Sequence, residues 1–175
     1  MSSSSRLIAY FRRTGLFLIP LMGLVFLSAC GFEPLHGSGN TVDSSLASTR
    51  IEVIPDRNGQ ILHNQLRDKL NPKGLAPNPL YSLTVDLSVT TRTTGFTSEQ
   101  DATYATIIAS AQYKLTRRSD SQEVYSGTSE AVTSYNQFVT PYTNRYSEND
   151  ATERALVSLS QDLYTSLSTF FSTTN

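Results

Sequence analysis

Three stretches of the chain alternate apolar and polar residues one for one, and two others repeat apolar residues every three or four positions. The clearest alternation is YSLTVDLSVTTRTTGF from residue 81, where Leu83, Val85, Leu87 and Val89 fall to one side and Thr84, Asp86, Ser88 and Thr90 to the other. Successive strand side chains point to opposite faces, so this stretch predicts a strand with one buried and one wet face. Residues 103–117 repeat the pattern, with Ala105, Ile107, Ala109, Ala111, Tyr113 and Leu115 set against Thr106, Ser110, Gln112, Lys114 and Thr116. RRSDSQ then makes a hairpin turn into EVYSGTSEAVTSY, the third strand of a meander. Upstream, RIEVI at 50–54 is short, alternating and β-branched, and Pro55 stops it as a further strand.

Helical spacing takes over in two places. NGQILHNQLRDKL puts Ile61, Leu62, Leu66 and Leu70 near one face, with Asn58 as N-cap and Asn71-Pro72 as the stop. Near the C-terminus, Leu156, Leu159, Leu163, Leu167 and Phe170 form one stripe of a helix that runs to about Phe171; SEND at 147–150 supplies a capping box, with Ser147 at N-cap. Between these elements, 71–80 reads as a Pro- and Gly-rich loop, 94–102 as a hairpin turn and 136–146 as an irregular aromatic loop. The order β-α-β-β-β-α predicts an α+β fold, a two-layer sandwich of two helices packed on a four-stranded, mostly antiparallel sheet. No hairpin joins the first strand to the second, so its neighbour in the sheet stays open.

The N-terminus obeys a different pattern. Arg6, Arg12 and Arg13 precede an uncharged apolar run from Leu16 to Leu27, and the small residues Ser28 and Ala29 follow. This is the layout of a secretory signal. A transmembrane span needs roughly 20 apolar residues, and this run is about a dozen. Leu27-Ser28-Ala29-Cys30 resembles the lipobox of bacterial lipoproteins, whose cysteine is acylated and becomes the first mature residue. Buried acyl methylenes contribute about 0.8 kcal/mol each, and several chains together anchor a protein stably. Residue 31 is Gly rather than the Asp that holds enterobacterial lipoproteins at the inner membrane, which points to the outer membrane, on its periplasmic side. The chain thus divides into a lipoprotein signal peptide at 1–29, a lipidated flexible tether at 30–49 and an α+β domain at 50–175.

Charge and chemistry narrow the function. All 15 acidic residues of this 175-residue chain follow Cys30, whereas three of its 14 basic residues precede it, so the mature protein is net acidic. That argues against nucleic acid as a partner. Cys30 is the only cysteine, so no intramolecular disulfide supports the fold. The two histidines, His36 in the tether and His63 on the first helix, do not cluster with other ligands as a zinc site requires, and no G-x-S-x-G nucleophile turn occurs. The acidic pairs Glu99/Asp101 and Glu148/Asp150 lie in turn and cap contexts. The sequence therefore reads as a binding domain with neither catalytic residues, metal nor cofactor, facing a partner protein or an amphiphile.

Several short motifs occur in order along the chain: CGFEPLHG at 30–37, YSLTVDL at 81–87, AQYKL at 111–115, SYN at 134–136 and DATERALVSLSQDL at 150–163. Together with the lipobox they resemble the lipopolysaccharide-assembly lipoprotein family LptE, in its alphaproteobacterial branch. The resemblance implies a plug inside the outer-membrane β-barrel LptD that aids barrel assembly and the delivery of lipopolysaccharide to the outer leaflet. Anionic lipopolysaccharide phosphates call for Arg or Lys, which makes Arg92, Lys114, Arg117 and Arg118 candidate contacts, although an antiparallel hairpin through 94–102 sends Arg92 toward the opposite end from Arg117. Phe138, Tyr142 and Tyr146, in the aromatic loop, are candidate contacts to the barrel. The alternative is an accessory lipoprotein of another envelope transport or structural system, and the identity of the partner separates the two.

Overall fold

The computed structural model describes residues 41–94, 103–137 and 141–174, all within the unit Ser38–Asn175. In chain order they form α1 (Thr41–Ala47), β1 (Thr49–Ile51), α2 (Asp56–Leu70), β2 (Tyr81–Thr94), β3 (Thr103–Arg117), β4 (Glu123–Gln137) and α3 (Pro141–Thr174). The three alternating stretches are the long strands β2, β3 and β4, paired antiparallel with Leu83 opposite Leu115 and Ala109 opposite Ala131. β1 joins the sheet at its edge, parallel to β2, and the order is β1-β2-β3-β4. Parallel neighbours need a crossover, and α2 provides it. The expected α+β sandwich is therefore present, with three helices among the described residues rather than two.

Among the described residues, helices cover one face of the sheet only. α3 packs on β3 and β4, α2 on α3 and β1, and α1 on α3. Leu62, Leu66 and Leu70 of α2 meet Leu156, Leu159, Leu163, Leu167 and Phe171 of α3 in one core with Leu83, Ile107 and Leu115 of the sheet. The alanines of β3, Ala105, Ala109 and Ala111, are completely buried; their small side chains let the helix layer approach the centre of the sheet. At Gly59 the backbone of α2 comes so near Ile54 that a Cβ would lie 2.8 Å from its carbonyl oxygen, so only glycine fits.

The structure corrects the sequence reading at three boundaries. Residues 41–49, expected to close the flexible tether, hold α1 and the start of β1, with Val42 and Leu46 buried. Seven residues are too few for an isolated helix, so α1 owes its form to docking. The side-chain amide of Asn71, just past the end of α2, donates to the carbonyls of Ala47 (3.0 Å) and Thr49 (3.3 Å) and closes this corner. α2 begins at Asp56 with Pro55 at its N-cap, so Asn58 lies inside the helix. α3 begins at Pro141 rather than after Ser147. Proline suits a first helical position, where no intrahelical N–H bond is lost. Most of the expected aromatic loop at 136–146 is thus the end of β4 and the first turns of α3.

Candidate functional surfaces

The face of the sheet without helices is built by the polar half of each alternating strand. Thr84, Asp86, Ser88, Thr90 and Arg92 of β2 are exposed, as are Gln112 and Lys114 of β3 and Ser126, Thr128, Glu130, Val132, Ser134 and Asn136 of β4. Hydroxyls dominate this surface, and some pair with each other, as Thr106 and Ser134 do across β3 and β4 at 3.2 Å. Such a face can offer many hydrogen bonds to a polar wall without bringing in many charges that would need partners.

The four candidate basic residues do not form one patch. Arg92 pairs with Thr106 and Lys114 with Thr84, so both lie on the helix-free face but are separated by eight positions along β2. At a rise of about 3.3 Å per residue that spacing is roughly 26 Å. Arg117 is opposite Tyr81, at the other end of the sheet from Arg92. Its guanidinium Nη1 lies 3.2 Å from Asp120 Oδ2. The hydrogen bond from the backbone N–H of Gln122, aided by Arg117, holds the Asp120 carboxyl below its ordinary value. The backbone N–H of Arg118 donates to the Leu80 carbonyl at 2.9 Å. This bond brings the hairpin turn onto the end of the 71–80 loop, and Pro79, Leu80, Tyr81, Arg117, Arg118 and Ser119 line a cleft of 390 Å³. Leu80 is 59% exposed there. Two cations beside an exposed leucine have the chemistry of a site for an anionic amphiphile. Sequence reading found the arginines but not Leu80, which belonged to a loop recognised by composition alone.

Behind the same end of the sheet stands an aromatic cluster. Tyr81 meets Phe171 edge-on at 5.1 Å between ring centroids, and Tyr125 stacks on Phe170 at 4.8 Å. The hydroxyl of Tyr125 is pushed above its ordinary pKa, first by its hydrogen bond with Tyr113 and then by burial.

Of the candidate partner contacts, Tyr142 and Tyr146 project from one side of the first turns of α3, 83% and 73% exposed. Phe138 lies outside the described residues, as does Cys30. Thr91 of β2 donates to Glu148 at 3.1 Å and ties this start of α3 to the sheet. His63 is partly buried, with Nδ1 3.4 Å from the carbonyl of Glu52, between α2 and the chain leaving β1. Among the described residues, no group of three or more His, Cys, Asp or Glu is placed to hold a metal ion. Nor is any helix among them long and apolar enough to cross a membrane.

A small α+β domain of this topology recurs in bacterial lipoproteins. A Caulobacter crescentus lipoprotein superposes with a TM-score of 0.65 at 20% identity, over 78% of this chain and 98% of that one. A minor lipoprotein from Acinetobacter baumannii gives 0.55 at 20% identity, over 69% and 90%. The rare lipoprotein B from Shewanella oneidensis gives 0.51 at 11% identity, over 69% and 92%. At these identities the likeness establishes the fold. No curated protein matches the chain significantly. The family description LptE, Lipopolysaccharide-assembly, matches residues 46–167, which is more than half of the chain. The chain belongs to the LptE family, a family of non-enzymatic outer-membrane lipoproteins, and its function falls in lipopolysaccharide assembly.

Proposed function

We propose that the mature protein is anchored to the outer membrane through acyl chains on Cys30 and plugs the lumen of an LptD-type β-barrel, where it aids barrel assembly and the delivery of lipopolysaccharide to the outer leaflet. Family membership across residues 46–167 is the observation that carries this reading. The helix-free face supports it physically. The lumen of a large outer-membrane barrel is polar, and a face dominated by Thr and Ser hydroxyls suits such a wall. Tyr142 and Tyr146, exposed at the start of α3, would add aromatic contacts to the barrel, and Arg117 and Arg118 beside Leu80 would meet lipopolysaccharide phosphate and acyl groups. In this role the protein performs no catalysis.

The test is affinity purification of the tagged protein from detergent-solubilised outer membrane. Recovery of an LptD-type barrel in near-equal amount is expected. Its absence, with the barrel shown to be intact in the same extract, would transfer the protein to another envelope transport or structural system. Intact-mass analysis of the purified chain should show acyl groups on Cys30; an unmodified thiol contradicts the anchor.

A further inference from the structure

The outer edge of β4 is unpaired among the described residues, since β4 ends the sheet. Its hydrogen-bonding direction follows from the register. The N–H of Arg118 bonds Leu80, just before β2, while the N–H of Arg117 bonds Gln122, just before β4, so even residues of β3 face β2 and odd ones face β4. With Tyr113 opposite Gly127 and Ala109 opposite Ala131, odd residues of β4 bond inward. Its even residues from Ser126 to Asn136 aim both N–H and C=O away from the sheet.

Natural proteins blunt such edges with lysine, proline or bulges. From Val124 to Gln137 β4 has no lysine or proline, its register shift is confined to the end beside Leu115 and Thr116, and Glu130 is its single charge. Beside this edge runs a groove of 630 Å³, walled by Thr133 on the strand and by Asp150, Glu153, Arg154, Val157 and Ser158 on α3. Thr133 Oγ1 donates to the carbonyl of Ala151 at 2.8 Å and fixes the distance between helix and strand. Val157 is 40% exposed on the groove wall. Arg154 is already engaged with Asp150 at 3.0 Å, whereas Glu153 is exposed and makes no ion pair among the described residues.

We propose that this groove binds an extended segment of a partner polypeptide, which adds to β4 as a fifth strand and places a lysine or arginine opposite Glu153. An edge strand flanked by a helix is the geometry in which main-chain hydrogen bonds give affinity and alternate side chains give specificity. A strand added here would point every second side chain at the wall formed by Glu153 and Val157, which favours one basic and one apolar residue. Edge-to-edge pairing of two β4 strands does not meet this requirement: β4 contains two glutamates, Glu123 and Glu130, and no Lys or Arg. The inference does not depend on which partner supplies the segment, and it is tested without a barrel.

The experiment is amide hydrogen exchange by NMR on the full chain in detergent micelles, with a synthetic peptide of alternating Thr and Val and one central Lys as the probe. At saturating peptide, the amides of Ser126, Thr128, Glu130, Val132, Ser134 and Asn136 should slow by at least about tenfold, while their odd neighbours, already bonded to β3, stay unchanged. A peptide N-methylated at the amides facing β4 should bind at least about tenfold more weakly. Glu153→Lys should reverse the preference between this peptide and its Glu analogue. Val132→Pro, which removes an outward N–H and spares the β3 ladder, should weaken binding; if this variant does not fold, the N-methylated peptide and the Glu153 swap still decide. Failure of the peptide to bind, binding without protection of the even amides, or equal binding of the N-methylated peptide would each overturn the proposal. So would protection that grows with protein concentration alone, since that would make a second copy the occupant.

Discussion

Tyr113 and Gly127 face each other across β3 and β4, and a Cβ on Gly127 would lie 2.6 Å from the Tyr113 hydroxyl oxygen. Gly127→Ala should therefore displace that ring and its bond to Tyr125, at about 1–3 kcal/mol of stability in urea unfolding. The same tyrosines give a pH dependence. The Tyr125 pKa is raised above 10.0 in the folded chain, so its contribution is complete below that value and is lost as pH rises through the folded pKa. Stability should fall on going from neutral pH to above about 10, and Tyr125→Phe should flatten part of that fall. At the 390 Å³ cleft, replacing Arg117 and Arg118 by Ala should weaken binding to lipopolysaccharide micelles, and unchanged binding would remove both from the contact. Because the Arg117–Asp120 pair is 45% exposed on both sides and screened by solvent, its loss should leave the urea-unfolding midpoint nearly unchanged. These arginines were legible in the sequence as charge. Their company was not, because it takes the pairing of Arg117 with Tyr81 and the bond between Arg118 and Leu80 to bring a composition-defined loop to the hairpin.

Among the elements, α1 separates pattern from packing most clearly. Its sequence, TVDSSLA, offers two apolar residues one turn apart in a polar stretch, too little periodicity to distinguish a helix from a tether. Its form comes from burying Val42 and Leu46 and from the clasp of Asn71. Leu46→Ala should cost about 2–4 kcal/mol by chemical denaturation, whereas the same change in an undocked tether would be nearly neutral. The three long strands were legible because one face of each is buried and the other wet, and that difference is written at every second residue. The parallel pairing of β1 with β2 was not legible, since a crossover fixes no register by itself. The start of α3 was missed because Tyr142, Asn144 and Tyr146 carry no apolar stripe; with Tyr142 and Tyr146 exposed, nothing in that turn packs as a core helix would.

For the whole molecule, an amphipathic sheet covered on one side raises the question of what meets the other. Alternation along β2, β3 and β4 makes that face rich in hydroxyls, and family membership sets it in the context of lipopolysaccharide assembly. The plug reading makes the helix-free face the principal contact, with Tyr142 and Tyr146 at its margin. The most direct measurement is photocrosslinking in living cells from probes placed singly at Thr90 and Thr128 on that face, with a control at exposed Thr165 on α3. The account predicts adducts between the two face positions and an LptD-type barrel, identified by mass, in greater yield than from Thr165. Adducts confined to Thr165, or adducts from the face to a different envelope protein, would contradict it.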